Sequence, residues 1–339
     1  MSVSPPRSRK KSGILSTIIF CLILVVATIF ILAYRQRIVD QITVWGYSAS
    51  PEATNLVKRA GMNDNGIFYY YASQPALFDT SSAASFNKAC SNTEKTTAIL
   101  GCYSNSKIFI NVISDKQLDG ISEVTAAPET LHAIYNRLSD SEKTKVDKLL
   151  EDEYVALSKD KYYSDLLAFY SSYEPGQRDN ELHSIIGTEV AKISPELEAY
   201  YDQYFTNRQD VVNLDVQYSS VFKSLKAKAD ALSGQIDSLL STVTSLTNQY
   251  NNDAQQLKSD INSFNSRAQS GGFTSQSQFN AERAVLTGRA NALDGMRATI
   301  QSDYKNYQSL VAEYNSYATQ SKKLYDTINS NSLVSSPSL

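Results

Sequence analysis

Histidine is almost missing from this chain: 339 residues contain two, His132 and His183. Cysteine is nearly as scarce, with three, and there is a single tryptophan. These shortages narrow the chemistry available. No GxSxG elbow, P-loop or dinucleotide glycine fingerprint occurs, so the usual serine-hydrolase and nucleotide-binding signatures are absent. Neither Cys90 nor Cys102 has a histidine placed to activate a thiol. A concentrated basic patch is also lacking. Beyond residue 34 the chain carries 28 basic and 35 acidic residues, net −7, which argues against a nucleic-acid partner.

One long apolar run is present. Ile14 to Tyr34 is uncharged and mostly apolar over 21 residues, about 30 Å as a helix, enough to cross a bilayer core. It is longer than a signal-peptide core and ends in AYRQR rather than a small-residue cleavage site, which predicts a retained anchor. Cys21 is then an apolar, lipid-facing residue. Arg7, Arg9, Lys10 and Lys11 precede the run, whereas only Arg35 and Arg37 closely follow it. The positive-inside bias predicts a cytoplasmic N-terminus, a single pass of the plasma membrane and an extracytoplasmic remainder. In such an oxidising location Cys90 and Cys102, 12 residues apart, are expected to form a disulfide.

The remaining segments divide by composition. Residues 1–12 form a basic cytoplasmic tail and 13–34 the transmembrane helix. Residues 35–62 read as a juxtamembrane connector. Its Trp45 and Tyr47 suit the outer membrane interface, or else the core of the next domain. Residues 63–206 read as a compact α+β domain. GIFYYYA (66–72), TTAILGCY (96–103) and KIFINVI (107–113) have strand composition, the last two joined through Ser104, Asn105 and Ser106. Helices are expected at Ser141–Leu157, with Ser139 or Asp140 as cap, and at Tyr162–Tyr173, ended by Glu174-Pro175-Gly176.

From residue 207 the chain turns rich in Ser, Gln, Asn and Ala. Apolar residues recur in alternating steps of four and three from Tyr218 to Tyr250. One extra four-step reaches Ala254, and the series continues through Leu257, Ile261, Phe264 and Ala268. It resumes from Phe279 to Ile328, with Tyr304 included. Two such arms around SGGFTSQSQ predict a long all-α antiparallel coiled-coil hairpin over 207–330, turning near 270–276, before a flexible tail at 331–339. Ser194-Pro195-Glu196 is expected to start the helix that enters it.

Each histidine lies among acids. TAAPETLHAIYNRL (125–138) has the spacing of the zinc-peptidase HExxH helix, with Pro128 where the first histidine belongs. Glu129 then takes the general-base position and His132 that of the second ligand. His183, in NELHSIIGTEV (180–190), is a candidate third ligand, with Glu181 and Glu189 as alternatives. A plainer reading makes PET an ordinary helix start, His132 a residue packed beside Tyr135, and His183 a hydrogen-bonded core residue.

LGCY (100–103), EVTAAPETLHAIYNRLS (123–139), NELHSIIGTEV (180–190) and SPELEAYYDQYFTNR (194–208) together resemble a family of bacterial membrane-anchored zinc metallopeptidase-like proteins. The family joins a GCY segment to HExLHAxYxRL and ELHSxxGTE helices and a PELExYYxxYFxxR exit. The resemblance covers about residues 66–208. It implies a zincin-like α+β fold, with Glu129 as base and His132 and His183 as zinc ligands. Pro128 removes one ligand, so zinc is expected only if a carboxylate substitutes. Three roles follow: non-catalytic binding or scaffolding at the cell surface, a weakly active metallopeptidase, or a coiled-coil spacer with its own partner.

Overall fold

The computed structural model describes residues 11–90, 99–173 and 176–329. It divides into two compact units, one holding the chain up to Tyr218 and the other Ser219–Asp326. The basic tail's first ten residues, positions 96–98 of the expected strand, Glu174-Pro175 and the expected C-terminal tail lie outside the described residues.

Helix α1 (Lys11–Ala33) is long and apolar enough to cross a membrane. Tyr34 separates it from α2 (Arg35–Gly46). After α2 comes α3 (Pro51–Arg59). Ser50 caps α3 by accepting from the Ala53 amide, and Pro51 suits its first turn. Part of residues 35–62, expected as a juxtamembrane connector, contributes to the main core. Ala53, Leu56 and Val57, spaced three and four apart, are buried in the main core. Asp40 of α2 is buried against Arg137.

The expected strand at 66–72 is a helix, α4 (Asp64–Ala72). Asn63 accepts from the amides of Asn65 and Gly66, and this cap overrides the strand propensity of the aromatic run. Gly66 is needed here, because a Cβ would lie 2.4 Å from the Tyr204 carbonyl oxygen.

A three-stranded sheet follows, with β1 (Ala76–Phe78), helix α5 (Ala83–Cys90), β2 (Gly101–Ser104) and β3 (Lys107–Asn111). The strand order is β1-β3-β2, with β1 parallel and β2 antiparallel to β3. Three residues of β1 were too short a run to stand out in the sequence. Asn105 and Ser106 turn the hairpin with φ of 51° and 62°, the left-handed pair that a tight two-residue turn requires. Cys90 and Cys102 form the expected disulfide, joining α5 to β2 in a small cluster with Phe86 and Ile99.

The rest of this unit is helical: α6 (Ile121–Tyr135), α7 (Asp140–Leu157), α8 (Lys161–Tyr173), α9 (Arg178–Glu189) and α10 (Pro195–Tyr201). Ser139 and Glu142 form a capping box at the start of α7. Helix α6 packs on β2, β3 and α9, and α7 also packs on α9. Leu131, Ile134, Leu182, Ile186, Leu197 and Tyr201 meet in the core between these helices. Ser194-Pro195-Glu196 starts only the seven-residue α10. The next helix, α11, begins separately at Gln209.

The expected hairpin is formed by α11 (Gln209–Gln269) and α12 (Gln276–Ile328), with Gly271 at φ 68° in the turn. Leu225, Leu232, Leu257 and Phe264 are buried in its seam. The seam departs from the expected register at three places, one of them Arg267, half-buried where Ala268 is exposed. Half-buried Asp260 lies on it while Ile261 is exposed, and half-buried Asp303 lies on it while Tyr304 is exposed. Asp260 pairs with Arg289, and Arg267 pairs with Glu282, so charges between the arms hold positions that apolar counting assigned to neighbours.

Candidate functional site

Pro128 is an interior residue of α6, seven positions after Ile121. PET is therefore not the start of this helix, as the plainer sequence reading had it. The missing N–H of Pro128 leaves the Val124 carbonyl without the usual i+4 donor. The helix persists because its flanks are buried. Ala126, Ala127, Leu131 and Ile134 sit in the core, and the Thr125 and Thr130 hydroxyls donate back to the Ile121 and Ala126 carbonyls.

One turn beyond Pro128, His132 reaches α9. Its Nδ1 lies 3.0 Å from Asn180 Oδ1, and its Nε2 lies 3.9 Å from Glu181 Oε1. With Nδ1–H donating to the Asn180 amide oxygen, the Nε2 lone pair points to the Glu181 side. A metal-ligating imidazole is oriented in the same way by its second nitrogen. Both side chains are nearly closed to solvent. Asn180, within a segment already singled out, carried no role in the sequence reading because an amide supplies neither charge nor a usual ligand.

Glu129 lies beside the sheet. A Cβ on Gly101 would stand 3.0 Å from Glu129 Cγ and 2.5 Å from Thr125 Cγ2, so only glycine lets β2 approach α6 this closely. That contact explains the glycine of the LGCY segment. It brings the start of β2 against Thr125 and Glu129 of α6.

His183 is elsewhere. It is fully buried, and its Nε2 is hydrogen-bonded to the Tyr200 hydroxyl at 2.8 Å. The rings of Tyr135, Tyr200 and Tyr201 surround it at 5.4–5.5 Å. Tyr201 donates to its backbone carbonyl. Its Nδ1 makes no hydrogen bond. Burial, reinforced by His132 and opposed by the Leu131 backbone, holds its pKa down to about 3. Neutral and enclosed, His183 fits the core-residue reading.

Glu189 occupies the far end of α9, where its Oε2 accepts from Tyr162 at 3.1 Å. Burial and this carboxylate push the Tyr162 hydroxyl far above its ordinary pKa. The five candidates therefore separate. His132 and Glu181 meet between α6 and α9 and Glu129 lies against Gly101 of β2, whereas His183 and Glu189 are held by tyrosines.

A zinc centre requires three protein ligands plus water for catalysis. Pro128 offers no donor atom, His183 Nε2 is committed to Tyr200, and His132 with Glu181 make two. Among the described residues no three His, Cys, Asp or Glu side chains gather closely enough to hold a metal ion. The donor set does not fit a complete peptidase centre.

Arg208 went unrecognised as a structural residue. Among the described residues it is the largest fully buried side chain. Its guanidinium binds Glu198 through Nε and Nη2 and donates to the carbonyls of Ile186, Val190 and Ala191. It thus satisfies the C-terminal end of α9, the helix that carries Asn180 and Glu181.

Compared with known protein families, curated proteins and solved structures, the chain matches none.

Proposed function

We propose that this chain is a membrane-anchored binding protein with a degenerate zinc-metallopeptidase-like domain. In this reading α1 crosses the plasma membrane once, with the N-terminus in the cytoplasm and the remainder outside, as the flanking charges favour. The domain recognises a peptide or protein at the cell surface without cutting it. The observation that carries the reading is Pro128, one turn before His132 in α6, with Glu181 alone opposite His132 Nε2. Strand β2 pairs with β3 alone in the described sheet, so its outer edge suits an extended peptide added beside Glu129. The polar hairpin serves as the scaffolding arm, open to a coiled-coil partner.

Zinc content and peptide hydrolysis of the purified full chain, alongside Glu129→Gln, test this. Hydrolysis is expected at background in both proteins. Stoichiometric zinc with cleavage abolished by E129Q overturns the reading.

A second reading is favoured by the approach of Glu181 to an oriented His132. Here Glu181 substitutes for the lost ligand and a weakly active metallopeptidase remains. Zinc bound by the wild type and lost in Glu181→Gln separates it from the first.

A further inference from the structure

Helix α2 is amphipathic in reverse. The side facing the domain carries charge. Asp40 is 2 % exposed and paired with Arg137, while the Arg37 guanidinium lies 3.6 Å from the centre of the Phe68 ring. The side facing away is apolar. Val39, Ile42 and Trp45 recur at steps of three and are 49 %, 59 % and 78 % exposed. At about 100° per residue Ile42 lies some 160° around the helix from Asp40, so the two faces are opposed. A water-facing helix has the opposite arrangement. Tyr47, which the sequence grouped with Trp45, belongs to the domain side: its hydroxyl donates to the Pro75 carbonyl, and its ring packs on Tyr71.

The position of α2 identifies what covers this face. Only Tyr34 separates it from α1, so the whole of α2 lies within about 18 Å of chain from the apolar span. At that junction Tyr34 has φ −106° and ψ 14°, away from helical values, so α2 does not simply prolong the axis of α1. Arg35 and Trp45 bracket the apolar stripe, the composition of a helix lying in a headgroup layer.

We propose that the Val39–Ile42–Trp45 face of α2 is a lipid-binding surface, seated in the headgroup region of the bilayer that α1 crosses. The inference rests on α1 being a membrane span. The Asp40–Arg137 pair and the Arg37 stack then fasten the domain to the membrane surface rather than leaving it on a tether.

Trp45 is the only tryptophan in the chain, so its fluorescence reports this face alone. The full chain is reconstituted into phosphatidylcholine vesicles with and without brominated acyl chains, and the vesicles are floated. The expected result is co-flotation, blue-shifted emission, and quenching strongest with bromine near the carbonyl end of the chains. Ile42→Asp, which leaves the Asp40 side untouched, should lose the quenching while the protein still floats. Co-flotation with water-like, unquenched emission overturns the inference and leaves α1 as a span. So does blue-shifted emission that bromine does not quench, because a second protein copy then covers the face. Failure to float overturns both.

Discussion

His132 Nε2 stands 3.9 Å from Glu181 Oε1, with Asn180 holding the other ring nitrogen at 3.0 Å. Two side chains of the proposed site are thus held together, on two helices that pack against each other. In the proposed reading the absent part is one side chain, at Pro128, and Glu129 would hold the base position.

Arg208 should be a keystone for α9. Arg208→Met leaves three carbonyls short of a donor and Glu198 unpaired, a loss of about 3–5 kcal/mol. Glu198→Gln should cost clearly less, because its carboxylate reaches solvent and the guanidinium keeps its carbonyl partners. Urea denaturation of both variants checks the order, and equal costs would contradict it.

Asp40 and Arg137 hold α2 to the end of α6 as a nearly solvent-free pair. Asp40→Asn removes one charge and strands the other, so a loss of about 3 kcal/mol is expected. Replacing both, as D40L/R137M, should recover much of that loss. A double variant no more stable than D40N would show that the pair's charges are not the reason for its effect.

His183 gives the fold a pH dependence. Its pKa is about 3 in the folded chain, against 6.5 for the free side chain. Between those values the unfolded chain binds the extra proton, so stability is intact above the unfolded pKa and declines as pH falls from about 6.5 toward 3. The decline approaches about 1.4 kcal/mol per pH unit. The urea midpoint of the wild type should therefore fall more steeply with acid than that of His183→Gln. Parallel slopes would contradict the assignment.

Periodicity and spacing carried much of this structure. The hairpin was legible because its seam repeats over many turns, and its errors fall where Asp260, Arg267 and Asp303 displace Ile261, Ala268 and Tyr304. The Cys90–Cys102 bridge followed from their being the only pair outside the span. Residues 66–72 misled because the unbroken aromatic and apolar run from Ile67 to Ala72 looks like a strand, while Asn63, a single capping residue, decides for helix. The candidate ligands could not be ranked from the sequence. His183 and Glu181 lie two residues apart on α9 and so face different ways, and only tertiary packing shows that Tyr200 takes the histidine. Pro128 looked like a helix start because proline suits first turns. The elements that bury the flanks of Pro128, and so let α6 run back to Ile121, are distant in sequence.

The most direct test restores the missing donor. Pro128→His places two imidazoles one turn apart on α6, opposite Glu181, which completes a three-ligand set. Zinc is measured in purified wild type and P128H after equilibration with the metal and removal of the excess. The account predicts stoichiometric zinc in P128H and little in the wild type. Equal zinc in both proteins, whether full or absent, would contradict the claim that this domain lacks one ligand and nothing else.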